Sequence, residues 1–336
     1  MLSRRRFIGT CLTGLPALAA ASAAVPLAGC SDEAADTQVV IYSCGEGQRN
    51  ELLMGAMRKD LPHLDVRLHY MSTGNLSARL KVEGAVARFD IALMLEAGYL
   101  LKSEESLVDL SGRFDLSVFE DDLRVSDKVM PFTRECGCFA YNTEVLARAG
   151  VEPPQSLEDL ASPRFAGMVS MPNPKASSTG YNFYYSMVNI LGEQGALDYF
   201  DRLEPNVYQF TSSGSAPASA LTQGEAGVGL SLVFQLASER NSGAPIEFAL
   251  FEEGAPWTMN GAAVVRGHEG RPAVWEVMGW LYDKGILLDK QAFVPDSVFK
   301  GQDTHVAGYP SPIPYADMTG LFDLDLKERL LAAWKY

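Results

Sequence analysis

The feature that most limits what this chain can become is a repeated change of period. Short apolar runs alternate with stretches of helical spacing, and small polar loops sit at the junctions. Val39-Val40-Ile41-Tyr42-Ser43 reads as a buried strand feeding Cys44-Gly45-Glu46-Gly47. Residues 49–60 then have helical spacing, with Leu52, Leu53, Ala56 and Met57 on one side. Residues 64–70 alternate and predict a second strand, 76–86 a second helix, and 89–94 a third strand ending near Glu96. Strand, helix, strand, helix, strand implies a parallel sheet built through crossovers. The pattern resumes with strands at 137–142, 168–171, 207–210, 227–232 and 262–265, and helices at 144–149, 156–160, 181–192 and 217–223. Residues 286–336 read as largely helical, with a proline-rich interruption at 309–314.

Three loops of this pattern are rich in hydroxyl groups and glycine, and each opens a helix. They are Ser72-Thr73-Gly74, Ser177-Ser178-Thr179-Gly180 and Ser213-Gly214-Ser215. In open α/β sheets, ligands sit beyond the carboxyl ends of the strands. Such a loop offers hydroxyl donors, and glycine lets a ligand approach the backbone. The helix start adds unpaired N–H groups and a partial positive charge. The combination suits a phosphate, phosphonate or carboxylate without needing lysine. The same serines and threonines also make ordinary N-caps, which is the simpler reading of one loop alone. The pair 177–180 and 213–215 favours ligand contact.

The first residues have the grammar of an export signal. Ser3-Arg4-Arg5-Arg6-Phe7-Ile8 leads into an uncharged run rich in small residues, which ends at Leu27-Ala28-Gly29-Cys30. The first block resembles a twin-arginine signal. The last resembles a bacterial lipobox, in which Cys30 is acylated and becomes the new N-terminus. The run is long enough for a plain membrane anchor, but its few large side chains suit a cleaved leader better. On this reading residues 1–29 are removed and residues 30–37 form a short acidic tether. The protein is then exported and held by lipid at the outer face of the cytoplasmic membrane. No later stretch is long and apolar enough to span a bilayer.

A chain of 336 residues is too long for one small core and suits two lobes. The net charge is −14, and loss of a leader carrying Arg4, Arg5 and Arg6 makes it more acidic still. That argues against nucleic acid and anionic lipid as partners. It leaves room for a small anion held by backbone N–H groups. Several enzyme signatures are missing: GxSxG, HExxH, a Walker loop, and the third glycine of a dinucleotide fingerprint after Gly45-Glu46-Gly47. Past Cys11 and Cys30 the cysteines are Cys44, Cys136 and Cys138, without CxxC spacing. Buried thiols are expected, with no metal site and no cofactor.

Ala140-Tyr141-Asn142-Thr143-Glu144-Val145-Leu146 is similar to the "YNT" segment of bacterial extracellular solute-binding proteins. The order that follows matches too. Pro154-Gln155-Ser156-Leu157-Glu158-Asp159-Leu160 is followed by Pro163-Arg164-Phe165-Ala166-Gly167 and Ser177-Ser178-Thr179-Gly180-Tyr181. Thr211-Ser212-Ser213-Gly214-Ser215-Ala216-Pro217 and Gly224-Glu225-Ala226-Gly227-Val228-Gly229 complete it. The chain from residue 39 to 281 most resembles the ferric-iron, phosphonate and hexose-phosphate branch of the type II periplasmic binding proteins. The resemblance implies an α/β fold of two lobes, each a mainly parallel sheet flanked by helices, joined by crossing hinge strands. It places lobe 1 at 38–134 plus about 260–285 and lobe 2 at 138–256, with crossings near 133–137 and 257–261. Residues 286–336 stay unassigned to a lobe. The implied protein is a monomer that closes on a ligand by hinge motion, docks on an ABC permease and hydrolyses nothing.

Iron-binding members of that branch carry an adjacent tyrosine pair after the glycine-acid turn. Here the segment reads Leu230-Ser231-Leu232-Val233-Phe234-Gln235. Tyr184-Tyr185 lies in a predicted helix, where neighbours diverge by about 100°. The expected ligand is therefore a small phosphorylated or phosphonate compound. Ser177, Ser178, Thr179 and Gly180, with Tyr181, hold its oxyanion. Ser213, Gly214 and Ser215 add donors, and Ser43 closes from lobe 1 with Ser72, Thr73 and Gly74. Glu96 and Glu135 either meet an amine or sugar hydroxyls or are surface acids. Tyr42 and Trp257 either wall the pocket or have core or surface roles. Fe(III) with a synergistic anion is the rival ligand, and a secreted α/β hydrolase is the rival class.

Overall fold

The computed structural model describes residues 37–336, so the leader, Cys30 and residues 30–36 of the expected tether lie outside the described residues. The chain opens with β1 (Gln38–Ser43), α1 (Gly47–Asp60), β2 (Asp65–Tyr70), α2 (Thr73–Glu83) and β3 (Ile91–Glu96). β1 pairs in parallel with β2 on one side and β3 on the other. β3 is buried at every position, whereas the edge strand β2 is largely exposed. That contrast is why β3 reads as a continuous apolar run and β2 as an alternating one. α3 (Ala97–Lys102) follows β3 directly.

The chain passes between the two halves of the molecule along two strands. β4 (Met130–Asn142) pairs antiparallel with β9 (Trp257–Val264) over Met130 to Cys136. From Gly137 onward β4 pairs instead with β7 (Val228–Leu232) and β8 (Ile246–Ala249). β9 continues onto β3, also antiparallel. β5 (Val169–Pro172) lies parallel to both β7 and β6 (Val207–Thr211). The order is β2-β1-β3-β9-β4-β7-β5-β6, with β8 beside β4. The outer strands are thus parallel and the crossing strands antiparallel. The first half of β4 escapes a sequence reading because Thr133, Arg134 and Glu135 interrupt its apolar run while remaining largely buried.

In the second half, α4 (Thr143–Ala149) starts at a cap with a double role. Asn142 Oδ1 accepts from the N–H groups of Glu144 and Val145, and its Nδ2 donates to the Leu221 carbonyl. The asparagine of the "YNT" segment therefore sets a helix start and ties it to the neighbouring layer. α5 (Leu157–Leu160) is capped by Ser156. α6 (Ser178–Leu203) breaks at Gly192, whose φ of 75° is open to glycine, and then resumes. The predicted end at that glycine is thus a kink rather than a terminus. α7 (Ala216–Thr222) and α8 (Val233–Asn241) complete this half.

α9 (Pro272–Trp280) packs on β1, and one π-helical turn (Leu281–Gly285) leads into α10 (Ile286–Ala292). The helical expectation for residues 286–336 holds only at α10 and at α11 (Leu324–Ala333). Residues 293–323 are irregular, a far longer interruption than expected. Pro295, Pro310, Pro312 and Pro314 remove amide donors, and Gly301, Gly308 and Gly320 take positive φ. This segment covers the crossing strands. The Trp257 indole donates to the Ala316 carbonyl at 3.1 Å, and the Arg134 guanidinium lies over the rings of Trp257 and Tyr315. Trp257 is therefore a packing residue. Tyr42 is another, stacked on Phe89 at 4.6 Å between centroids. Beyond α11, Trp334 closes the second-half core against Tyr184 and Phe200.

Candidate ligand-binding cleft

A cleft of about 810 Å³ opens between the two halves, at the carboxyl ends of the parallel strands. The first half contributes residues 44–47 after β1, Ser72, Thr73 and Gly74 after β2, and Met94 and Glu96 from β3. The second half contributes residues 174–179 after β5 and 212–215 after β6. Glu135 of β4 and Asn260 of β9 lie at the floor, and Lys327 and Leu331 of α11 close one side.

Three helices longer than two turns begin at this cleft behind a polar N-cap residue: α1, α2 and α6. Their N-caps are Glu46, Ser72 and Ser177, and none of these side chains accepts a bond from its own helix. Away from the cleft, Asn142, Ser156 and Asp323 all do so. The capping alternative is therefore removed for Ser72 and Ser177, whose helices keep first-turn N–H groups free of the cap. Ser213 retains part of a capping role, accepting from the Ala216 N–H at 3.3 Å.

Glycine brings the two second-half loops together. A Cβ at Gly214 would overlap Thr179 Oγ1, so only glycine lets the loop at 212–215 rest on Thr179. Across the cleft, Met94 holds a φ of 54° beside a register shift between Leu93 and Leu95. Left-handed backbone on a large side chain is strain of a kind that gathers at binding sites.

Of the residues expected from sequence, Ser72, Thr73, Gly74, Glu135, Ser177, Ser178, Thr179, Ser213, Gly214 and Ser215 line the cleft. Ser43, Gly180 and Tyr181 do not, and each has another task. Ser43 Oγ sits inside the first loop, 2.7 Å from Asn50 Oδ1, and accepts from the Gly45 N–H. Gly180 lets α6 seat against β5, because a Cβ there would overlap the Pro172 carbonyl. Tyr181 is fully buried, with the Lys327 ammonium 4.5 Å from its ring centroid.

Two basic side chains, Lys175 and Lys327, also line the cleft. Lys175 Nζ donates to the Trp334 carbonyl at 2.9 Å. Lys327 Nζ lies 3.1 Å from Glu96 Oε1, so Glu96 is a buried ion-pair partner rather than a surface acid. Burial opposes the Lys327 charge, but Glu96 and Tyr99 outweigh it and hold the pKa above the ordinary lysine value. Behind the floor, Arg49 is fully buried. It meets Asp289 through two bonds of 2.7 and 2.6 Å, and also contacts Glu46 and Glu135. Burial pushes the Glu135 carboxyl up to about 7 against the pull of Arg49, with Glu46 adding to the rise. No sequence spacing joins residue 96 to 327, or 49 to 289. The only hint was a lone acid at each strand end.

Cys44 lines the cleft, but burial pushes its thiol up to about 12, so it stays protonated near neutral pH. Cys136 and Cys138 are free and buried. Among the described residues, no group of three His, Cys, Asp or Glu side chains is placed to hold a metal ion. Nor is any helix among them long and apolar enough to cross a membrane.

Two sheet halves, paired crossing strands and a cleft at the strand ends define a periplasmic binding protein fold, and solved structures share it. The periplasmic binding protein AfuA from Actinobacillus pleuropneumoniae, with fructose-6-phosphate bound, superposes with a TM-score of 0.77 and 21% identity over 88% of this chain and 97% of that one. The periplasmic binding protein P5PA gives 0.73 and 21% over 88% and 98%. Iron-bound HitA from Pseudomonas aeruginosa gives 0.74 and 16% over 88% and 99%. At these identities the likeness is one of fold. Residues 93–286, more than half of the chain, match the family model for the bacterial extracellular solute-binding proteins, and the chain belongs to that family. An uncharacterized protein of Haemophilus influenzae is 35% identical over 130 residues, which cover 38% of each chain. The chain thus spans well under half the length of that relative in the match.

Proposed function

We infer that this protein is the solute-binding component of an ABC importer and captures a small phosphorylated or phosphonate compound without turning it over. One observation carries the reading. The uncapped start of α6, with Ser177, Ser178 and Thr179, stands beside Ser213 and Ser215, with Lys175 on the same wall. Free amides and hydroxyls gathered at one end, with a lysine in the same lining, suit an oxyanion. Among the solved relatives of this fold, AfuA holds a sugar phosphate and HitA holds iron. The iron reading ranks lower here. Tyr184 and Tyr185 stand buried on α6, their hydroxyls directed to the carbonyls of Leu330 and Thr319.

In this account residues 38–134 with about 260–285, and residues 138–256, are the two lobes. They close by bending at β4 and β9, and the closed monomer docks on a membrane permease. Cys30 carries the lipid that keeps the protein at the membrane. Calorimetric titration of the mature chain with phosphate esters and phosphonates tests the capture. The triple variant S177A/S178A/T179A should lose at least about tenfold in affinity, since hydrogen bonds to a charged group contribute about 1.5–3 kcal/mol each. Undiminished capture by that variant would refute the reading. Loss of detergent-phase partitioning in Cys30→Ala tests the anchor.

A further inference from the structure

The crossing strands carry an unusual polar face. Glu96 of β3 stands directly opposite Asn260 of β9, which in turn stands opposite Thr133 of β4. One step along, Thr258 stands opposite Glu135. Residues directly opposite, and residues two apart, share one face of a sheet. These side chains therefore form one patch, and Glu96, Glu135 and Asn260 show that it faces the cleft.

Its polar atoms divide into two groups. The carboxylates are already matched, Glu96 by Lys327 and Glu135 by Arg49. The neutral groups are not. Asn260 is 8% exposed and lines the cleft, yet its side-chain amide makes no hydrogen bond among the described residues. The hydroxyls of Thr133 and Thr258 beside it are buried and also without a partner. They leave the Asn260 amide unclaimed. An amide that opens on the cleft without a protein partner is free to bond a ligand there.

We propose that this floor is a second subsite, which recognises the neutral, hydroxylated carbon skeleton of the ligand through Asn260. The proposal rests on the anion-capture reading above, with the phosphate held at 177–179 and 213–215 and the skeleton laid across the crossing strands. The chemistry selects hydroxyl groups over an amine. Asn260 both donates and accepts, Glu96 and Glu135 accept, and Lys327 donates. A hydroxyl answers all of these. An ammonium only donates, and it would lie beside the Lys327 ammonium. The cleft volume of about 810 Å³ also far exceeds what a bare phosphate fills.

The test is calorimetric titration of the mature chain with glycerol 3-phosphate, ribose 5-phosphate, glucose 6-phosphate, ethyl phosphate, 2-aminoethylphosphonate and unphosphorylated glucose. At least one polyol phosphate should bind about tenfold or more tightly than ethyl phosphate, from one or two well-made hydrogen bonds. In Asn260→Ala, and in Asn260→Leu as a volume-matched second variant, that ratio should fall to within about twofold. A cooperative melting transition in the same variants reports that they are folded. Equal binding of ethyl phosphate and every polyol phosphate by the unaltered protein overturns the subsite and leaves the anion reading standing. So does an unchanged ratio in both variants, or a preference for 2-aminoethylphosphonate over every polyol phosphate. Equal binding of glucose and glucose 6-phosphate, weakened by Asn260→Ala, supports the subsite and overturns the anion reading. Binding of none of the probes overturns both.

Discussion

Lys327 Nζ, on the last helix of the chain, lies 3.1 Å from Glu96 Oε1 at the end of the third strand, inside the cleft. The same helix is tied to the other half of the molecule. Arg329 forms a two-pronged pair with Glu193, and beyond the helix Trp334 packs on Phe200. α11 is therefore a strap across both halves, and its grip on the first half runs through a buried ion pair. Lys327→Met leaves the Glu96 carboxylate buried and unpaired, and should cost about 3–5 kcal/mol in urea denaturation. Glu96→Gln in the same chain should recover part of that loss. A double variant no more stable than Lys327→Met would mean that the pair itself is not what holds the strap.

Glu135 gives the protein a pH signature. Its carboxyl is raised from an ordinary value of 4.5 to about 7 in the fold, mainly by burial. Below about pH 4.5 it is protonated in both folded and unfolded chains and contributes no difference. As pH rises from there through 7, the unfolded chain releases its proton first, so the folded state loses stability relative to it. Glu135→Gln lacks this loss. Melting curves should show the variant gaining on the parent steadily between pH 4.5 and 7 and levelling off above. A gap that is flat with pH would place the Glu135 titration elsewhere.

How much of this was legible in the sequence follows from how local each signal is. β1, β3 and the clusters at 72–74, 177–180 and 213–215 were readable because apolar runs and Ser-Thr-Gly clusters are set by neighbours in the chain. The capping asparagine sat in plain view at residue 142. The pairs Glu96–Lys327 and Arg49–Asp289 were not readable, because nothing in local spacing links partners so far apart. β4 was half hidden, since the polar residues that give the cleft its floor break the alternation used to recognise a strand. Residues 293–323 run irregular for longer than the proline-rich stretch predicts, because positive-φ glycines finish what the prolines begin.

Gly214 and Thr179 set the distance between the two second-half loops of the cleft. Gly214→Ala should push the loop at 212–215 off Thr179 and reduce phosphate-ester affinity, and Gly214→Val should reduce it further. Titration of both variants decides this. Full affinity in Gly214→Ala alone would show that the two loops need not touch.

Asn142 has a structural task that its place in a family-like motif does not reveal. Replacing it by Ala removes the cap of α4 and leaves the Leu221 carbonyl without its donor. Such a cap is worth about 1 kcal/mol and the buried carbonyl adds to it, so the melting temperature should drop by several degrees. Ligand affinity measured well below the transition should stay close to that of the parent, because Asn142 lies outside the cleft.

The most direct measurement of the central claim is mass spectrometry of the small molecules released when protein purified from its own cells is denatured. The account predicts a phosphorus-containing anion at close to one per chain, absent from S177A/S178A/T179A prepared in the same way. Release of Fe(III) at that stoichiometry, with no phosphorus compound, would contradict it.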